Sequence, residues 1–509
     1  MKRKKRIFIK DWIKLHPYAV QDSTDQYYTA LANRIYDAIY GSEYGEKLKK
    51  SDDILYVSLC LAAWFEDTVS QTGIWTAFTA ESKRRYGKHI PFYSDEATYV
   101  TGEPNLADVK FLLWNYLQQK EFDTVFVAPD LDGLDEVAQK VFQIIDAEYE
   151  TAPENERMYD FIAKNHDGDD DFYTYRDVLK WFHFCCYVNV SNAQQFRKQV
   201  ESTLASAGPN AVNANLIIYG VETNEIVTRR NALLALTTPE WMALIARQHE
   251  ERKTWAEAKN YGPSYFTIES EDKDYLYLKD MVSEEGGLKF CKKSVQIDDF
   301  SGLIKKQTPI FLSLFWYGDS YWQNGIMADI ESGDKTDAAI AEERKKREHA
   351  DEKAVYEKFK KATGGKWYAL FEENEQLSDF FTNKMGIKES KDRPLPVKPK
   401  EARGIAVFAT PYGGLNILYG LTPCIKTDDN PTYDAEFAEE NSFKFFIDAE
   451  NIGYETSCLL FDNGLLPDAC VIYDNGEKRK DMTDGDVQFV IDYNHYCHRE
   501  RDLSPADQF

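Results

Sequence analysis

The sequence lacks the long apolar run that a membrane-spanning helix needs. Its longest apolar stretch, ILYVSLCLAAWF at residues 54–65, stops at Glu66 and Asp67, well short of the ~20 residues that cross a bilayer. It reads as a helix buried on most sides, and no membrane association is expected. Lys10, Asp11 and Lys14 interrupt IFIKDWIKLHP, so no secretory signal is expected either. Cysteine is scarce: eight residues, at 60, 185, 186, 291, 424, 458, 470 and 497, with no C-x-x-C. Such spacing is no disulfide framework and points to a reduced, cytoplasmic protein. Positive charge is also short, because 61 Lys and Arg face 86 Asp and Glu, for a net charge of -25. An acidic surface repels phosphate backbones, so direct nucleic-acid binding is not expected. The one basic run, KRKKR at residues 2–6, reads as a solvated tail.

The familiar catalytic and cofactor templates are missing as well. ATGGKW, residues 362–367, lacks the first glycine and the hydroxyl of a phosphate-binding P-loop. PYGGLNILYG has adjacent glycines that lead into a strand-like run, where a dinucleotide loop leads into a helix. No G-x-S-x-G, H-E-x-x-H or kinase set occurs. No cofactor is expected.

Aromatic side chains are plentiful: 32 Tyr, 30 Phe and 10 Trp make up 14% of the chain. Disordered chains are poor in aromatics, so most of this chain should be packed. Its 509 residues suggest roughly three domains of about 150 residues. IFIKDW reads as one short strand before a helical N-terminal part. DSTDQYYTALANRIYDAIY, with Ser23 or Thr24 as cap, opens the helices, and LADVKFLLWNYLQQK and LDEVAQKVFQIID continue them with apolar stripes at helical spacing. Near residue 262 the texture changes to alternation in SYFTIESEDKDYLYLKDM, read as an antiparallel β meander to which TPIFLSLFWYG adds a strand. Residues 334–362 are a charged helical run, 388–404 a proline-rich linker, and GIAVFATPYGGLNILYGL a hairpin. The expectation is an α+β protein: a mainly helical domain over 1–255, a small β-rich module over 256–332, a charged helix and linker over 333–403, and a mixed α/β C-terminal part over 404–509.

Three stretches could carry chemistry. NHDGDDDFYTYRDVL, residues 165–179, crowds acids around a glycine. A calcium loop needs glycine at its sixth position and a bidentate glutamate at its twelfth. Starting at Asn165 these are Asp170 and Arg176, and starting at Asp167 they are Phe172 and Val178. Neither register works, so the acids read as compensation of a helix dipole. The helix that follows has Val178, Leu179, Phe182 and Cys186 on its apolar face and His183 on its polar face. HYCH, residues 495–498, sets His495 and His498 three apart with Asp492 in reach. A zinc site needs a third or fourth ligand that no neighbouring cluster supplies, so a polar helix end is the expectation and no metal is assigned. FWYGDSYWQNG, residues 315–325, gathers aromatics around a Gly-Asp turn. Such a cluster reads first as core. Its polar neighbours also suit a ligand wall, and Trp316, Tyr317 and Trp322 are assigned to recognition.

Several phrases carry a resemblance: IFIKDWIKLHPY with TDQYY, YFTIESEDKDYLYLKDM, WYGDSYWQNGI and LLFDNGLLPDA. Together they resemble an uncharacterised family from Bacteroidetes, catalogued as a domain of unknown function. The resemblance implies a bacterial cytoplasmic setting and carries no activity, cofactor or catalytic residue. The functional expectation is a non-enzymatic binding or interaction protein for a protein or small-molecule ligand. One alternative is a hydrolase using carboxylates or a metal, where His183 or His495 would meet acids. Another is an acidic nucleic-acid mimic.

Overall fold

A computed structural model describes residues 4–121, 126–163, 172–207, 214–249, 253–295, 297, 300–387, 397–466, 473–474, 477–478 and 482–497. The chain is α+β and forms two compact units, Met1–Ile340 and Ala341–Phe509.

The first unit opens with a helix where a strand was expected. Ile9–Ile13 is helical, and Asp11 accepts a hydrogen bond from the Phe8 amide, 3.1 Å. Ile7, Trp12 and Leu15 are buried, a spacing that an alternating strand does not produce. The helices Asp25–Tyr40, Ser51–Ser70, Leu106–Glu121 and Leu134–Asp146 follow as their stripes predict. Ser51–Ser70 buries Ile54, Val57, Leu61, Trp64 and Phe65, and also Glu66 and Asp67. The acidic quartet at 165–171 lies outside the described residues. The helix after it, Phe172–Cys185, buries Tyr175, Val178, Leu179 and Phe182 on one face.

The β module is a closed barrel. Its strands are β1 (Lys259–Glu271), β2 (Tyr275–Asp280), β3 (Leu288–Cys291), β4 (Ile310–Tyr317) and β5 (Ser320–Asp329). The expected meander is present as β1-β2-β3, all antiparallel. The ring then closes in the order β1-β2-β3-β5-β4, with β3 parallel to β5 and β4 antiparallel to β1. A short helix, Ser301–Lys306, joins β3 to β4. A five-stranded Greek-key barrel of this order has the connectivity of the OB-fold. Closure rests on the length of β1. It pairs with β4 from Lys259 to Phe266 and with β2 from Phe266 to Glu271, with bulges at Asn260/Gly262 and at Ile268/Ser270 that bend it. Phe266, Ile268, Leu276, Leu278, Phe290, Ile310, Leu312 and Leu314 fill the interior. The buried Asp280 clasps the first turn, accepting from Ser264 Oγ at 2.7 Å, Tyr261 Oη at 2.8 Å and the Val282 amide at 2.7 Å. On the outside, Phe315 stacks on Phe172 at 5.0 Å, and Asn324 Nδ2 donates to the Thr223 carbonyl at 3.2 Å. The β4–β5 side of the barrel is thereby packed on helices.

In the second unit, β6 (Tyr368–Phe371), β7 (Ile405–Thr410) and β8 (Gly414–Tyr419) form an antiparallel sheet with β7 central, so the expected hairpin is β7–β8. All six residues of β7 are buried. The charged run is two helices, Asp334–Arg347 and Ala350–Ala362, separated at His349, whose φ of 48° cannot continue a helix.

Candidate functional site

A cavity of about 810 Å³ opens in the first unit between segments distant in sequence. Its aromatic wall is Tyr175, Trp255, Tyr317 and Phe161, with Val178 beside them. Tyr175 comes from the apolar stripe of its helix, and Trp255 from the helix Lys253–Glu257. Tyr317 closes β4 just before the two-residue Gly318-Asp319 turn. The rings hold one another: Tyr175 stacks on Tyr317 at 5.0 Å and 21°, and meets Trp255 at 5.3 Å. Asp22, Glu154, Glu156, Asp160 and Arg157 complete the lining on its polar side. The Arg157 guanidinium lies 4.2 Å over the Tyr18 ring and donates to the Val20 carbonyl at 3.1 Å.

Two residues of this lining carry hydroxyls that are closed off from the cavity itself. Thr24 and Tyr175 are 6% and 1% exposed, and neither Thr24 Oγ1 nor Tyr175 Oη has a hydrogen-bond partner among the described residues. Thr24 sits at the N-cap of Asp25–Tyr40, the role foreseen for it. Its αR backbone, φ -80° and ψ -21°, is not the extended one a capping side chain needs, so its hydroxyl makes no cap. A sealed, unpaired hydroxyl costs about 1–3 kcal/mol.

Behind the Asp22–Thr24 and Pro153–Glu154 walls runs a chain of buried polar groups. Asp25 accepts from Trp12 Nε1 at 3.0 Å, Tyr18 Oη at 3.1 Å and the Asp22 amide at 2.6 Å. Asn155 Nδ2 donates to Tyr18 Oη and to Glu66 Oε1, both at 2.9 Å. Glu66 Oε2 lies 2.7 Å from His16 Nε2, and His16 Nδ1 lies 3.0 Å from the Trp12 carbonyl. Both ring nitrogens therefore face acceptors, which the imidazolium satisfies. Burial alone would lower the His16 pKa, but the Glu66 carboxylate outweighs it and the net shift is upward. Burial and the same carboxylate hold the Tyr18 phenol well above its ordinary value, which keeps it a donor.

A smaller cavity, about 340 Å³, is lined by Asp67, Trp75, Tyr99, Glu103, Tyr159 and His249 among others. Asp67 accepts from Thr72 Oγ1, from the Trp75 amide at 2.8 Å and from Tyr187 Oη at 2.6 Å. Burial still pushes its pKa up. Asp108 nearby is fully buried and its pKa is raised to about 6, chiefly by desolvation.

Of the three aromatics assigned to recognition, the structure brings Tyr317 to the large cavity. Neighbouring strand residues face opposite ways. Trp316 accordingly meets Tyr321 edge-on at 5.0 Å, and half-buried Trp322 leans on Phe172 and Tyr173 at 6.3 and 6.2 Å. The histidines of the hydrolase alternative line none of the cavities described above. His183 is fully buried, not on a polar face: its Nδ1 lies 2.9 Å from Thr238 Oγ1, and Nε2 is 3.8 Å from Glu225. His495 is likewise buried, with its nitrogens 3.0 and 3.1 Å from the Ile491 and Ile452 carbonyls. Asp492 accepts from Tyr454 Oη and Gln488 Nε2, both at 2.9 Å, and His498 lies outside the described residues. Among the described residues no three His, Cys, Asp or Glu side chains come together around one ion position.

The family described as Protein of unknown function (DUF3843) matches residues 6–289 and 317–494. The chain belongs to this family. The match includes Tyr175, Trp255 and Tyr317, and leaves out residues 290–316, which run from the middle of β3 to the penultimate residue of β4. No curated protein matches the chain. No solved structure matches it either.

Proposed function

We propose that this protein binds a small organic ligand in the 810 Å³ cavity without transforming it. One observation carries the reading: a cavity of about 810 Å³ opens between aromatic side chains, Phe161, Tyr175, Trp255 and Tyr317, and charged ones, Asp22, Glu154, Glu156, Arg157 and Asp160. The volume falls within the few hundred to about 1,000 Å³ of small-molecule sites. The buried His16–Glu66–Asn155 chain supports a rigid wall, since each member is bonded to the next.

The OB-like order of the barrel raises a competing use, because such barrels take oligonucleotides or oligosaccharides on the β2–β3 side. Fold alone does not assign function. On that side Lys289 pairs with Asp319 at 2.6 Å and Lys292 with Glu271 at 2.6 Å. Charges satisfied in this way favour the cavity over a phosphate backbone as the place of recognition. A cytoplasmic setting belongs to the same proposal, supported by free thiols at Cys60, Cys185, Cys186, Cys291 and Cys424. No helix among the described residues is long and apolar enough to cross a membrane.

The test is a small-molecule screen by thermal shift on the full chain and on Thr174→Trp, which places an indole at the half-buried cavity position Thr174. A ligand at 100 times its Kd stabilises by about 2.7 kcal/mol. Binders of the wild type should lose their shift in the variant, whose own circular dichroism is unchanged. A screen in which no compound binds, or in which every binder shifts both proteins equally, refutes the assignment.

A further inference from the structure

We infer that the 340 Å³ cavity is a second site, for a neutral, hydroxyl-rich ligand of monosaccharide size. It shares no lining residue with the 810 Å³ cavity. No aliphatic or Phe side chain lines it. Every side chain of the lining carries a hydrogen-bonding group, and the remaining two residues are Gly73 and Gly102. Small-molecule sites are mostly apolar with a few polar groups, so this wall reverses the usual proportion. Its polar groups are also accessible: Gln71 and Gln248 are exposed, and Thr68, Thr76, Tyr159 and His249 are half-buried. A side-chain amide or hydroxyl both donates and accepts, and so does each hydroxyl of a sugar, which makes the two surfaces complementary without charge. The volume lies at the lower end of the roughly 300–1,000 Å³ of small-molecule sites, room for one ring and its substituents.

The wall is fixed before any ligand arrives. Asp67 ties the end of the helix Ser51–Ser70 to the start of the helix Ile74–Tyr86 through Thr72 Oγ1 and the Trp75 amide, and Tyr187 Oη adds a further bond. Gly73, at φ 89°, brings the backbone so close to His249 that a Cβ would lie 2.9 Å from its Nε2. That nitrogen is 2.7 Å from the Thr72 carbonyl. Tyr99 donates to the buried Asp108 at 2.9 Å, so its hydroxyl is turned inward and its ring is what remains for the cavity. Such preorganisation lowers the ordering cost of binding. Other ligand classes fit less well. No Lys or Arg lines the cavity, so an anion finds no counter-charge. Asp67 is buried and takes its bonds from the chain, which leaves Glu103 as the accessible carboxylate of the lining for a cation. An apolar ligand would strip water from polar groups without replacing their hydrogen bonds.

The probes are glucose, galactose, mannose and myo-inositol as neutral polyols, cyclohexanol as an apolar ring and glucuronate as an anion. In isothermal titration on the full chain, at least one polyol is expected to bind with a Kd of about 1 mM or tighter, at least tenfold better than cyclohexanol or glucuronate. The double variant Gln71→Gly, Gln248→Ala removes both exposed amides, and glycine suits the φ of 52° at position 71. It should weaken that binding at least tenfold. Thr76→Trp, which places an indole at a half-buried lining position, should abolish it, and Thr174→Trp in the larger cavity should leave it unchanged. Absence of binding by all the polyols, cyclohexanol or glucuronate binding as well as they do, or binding indifferent to both the double variant and Thr76→Trp overturns the inference. Loss of binding in Thr174→Trp alone places the polyol in the larger cavity and overturns it too.

Discussion

Replacing Glu66 by glutamine is the most informative perturbation of the buried chain. In the wild type Glu66 accepts from protonated His16 and from Asn155, with both partner side chains sealed from solvent. Hydrogen bonds to a charged group contribute about 1.5–3 kcal/mol each, and neutral ones about 0.5–1.5 kcal/mol. In Glu66→Gln the amide oxygen can still accept from Asn155, and the amide nitrogen can donate to a neutral His16 Nε2. Two bonds survive, both neutral, so the expected loss is about 2–3 kcal/mol at pH 6. The pH dependence then separates the charge from the geometry. His16 has a folded pKa raised above its unfolded value. Its contribution is therefore complete below the unfolded pKa of about 6.5 and is lost as pH rises through the folded pKa. The variant lacks this coupling. Urea unfolding of both proteins between pH 6 and 9, followed by tryptophan fluorescence, should show the gap in stability closing as pH rises. A gap that stays constant over that range would mean that His16 is neutral in the native protein, and the account of this network would fall.

Other outcomes follow from the same structure. Tyr175→Phe keeps the ring and removes a sealed, unpaired hydroxyl, so it should stabilise the ligand-free protein by about 1–2 kcal/mol in urea unfolding; a loss of stability would show that the hydroxyl has a partner. Asp108 has a pKa raised to about 6, so its contribution is present at acid pH and fades as pH rises through that value. Asp108→Asn should remove this decline from the stability profile between about pH 4 and 6, and an unchanged profile would count against it. Fluorescence anisotropy with a labelled oligo-dT 12-mer at 20 mM salt should show no saturable binding, and saturable, salt-sensitive binding would move recognition to the barrel.

The helices were legible because their apolar stripes are local. Leu134, Val137, Val141 and Ile145 recur at helical spacing and are buried together. The alternation in β1 was visible too, with Phe266 and Ile268 facing inward. Closure of the barrel was not, because it depends on β1 meeting β4 about fifty residues later and on a single parallel contact, Phe290 with Tyr321. His183 shows the same limit. Its spacing from Arg176 and Lys180 places it on a polar face, yet Thr238 and Glu225, from other helices, cover it. The cavity wall is assembled from short segments around residues 22, 153–161, 174–178, 255 and 317. Only Tyr317 stood out in advance. The available hint was Tyr175, a hydroxyl carried on an apolar stripe with Val178, Leu179 and Phe182.

The ring formed by β1 to β5 has one more consequence. Each of its strands is flanked on both sides, but the seam between β3 and β5 is closed by the single pair Phe290–Tyr321. Capture of an extended peptide by lengthening a sheet depends on an open backbone edge, so in this module the β3–β5 seam is the place for it. In the second unit β6 and β8 are outer strands, where strand addition is also geometrically open.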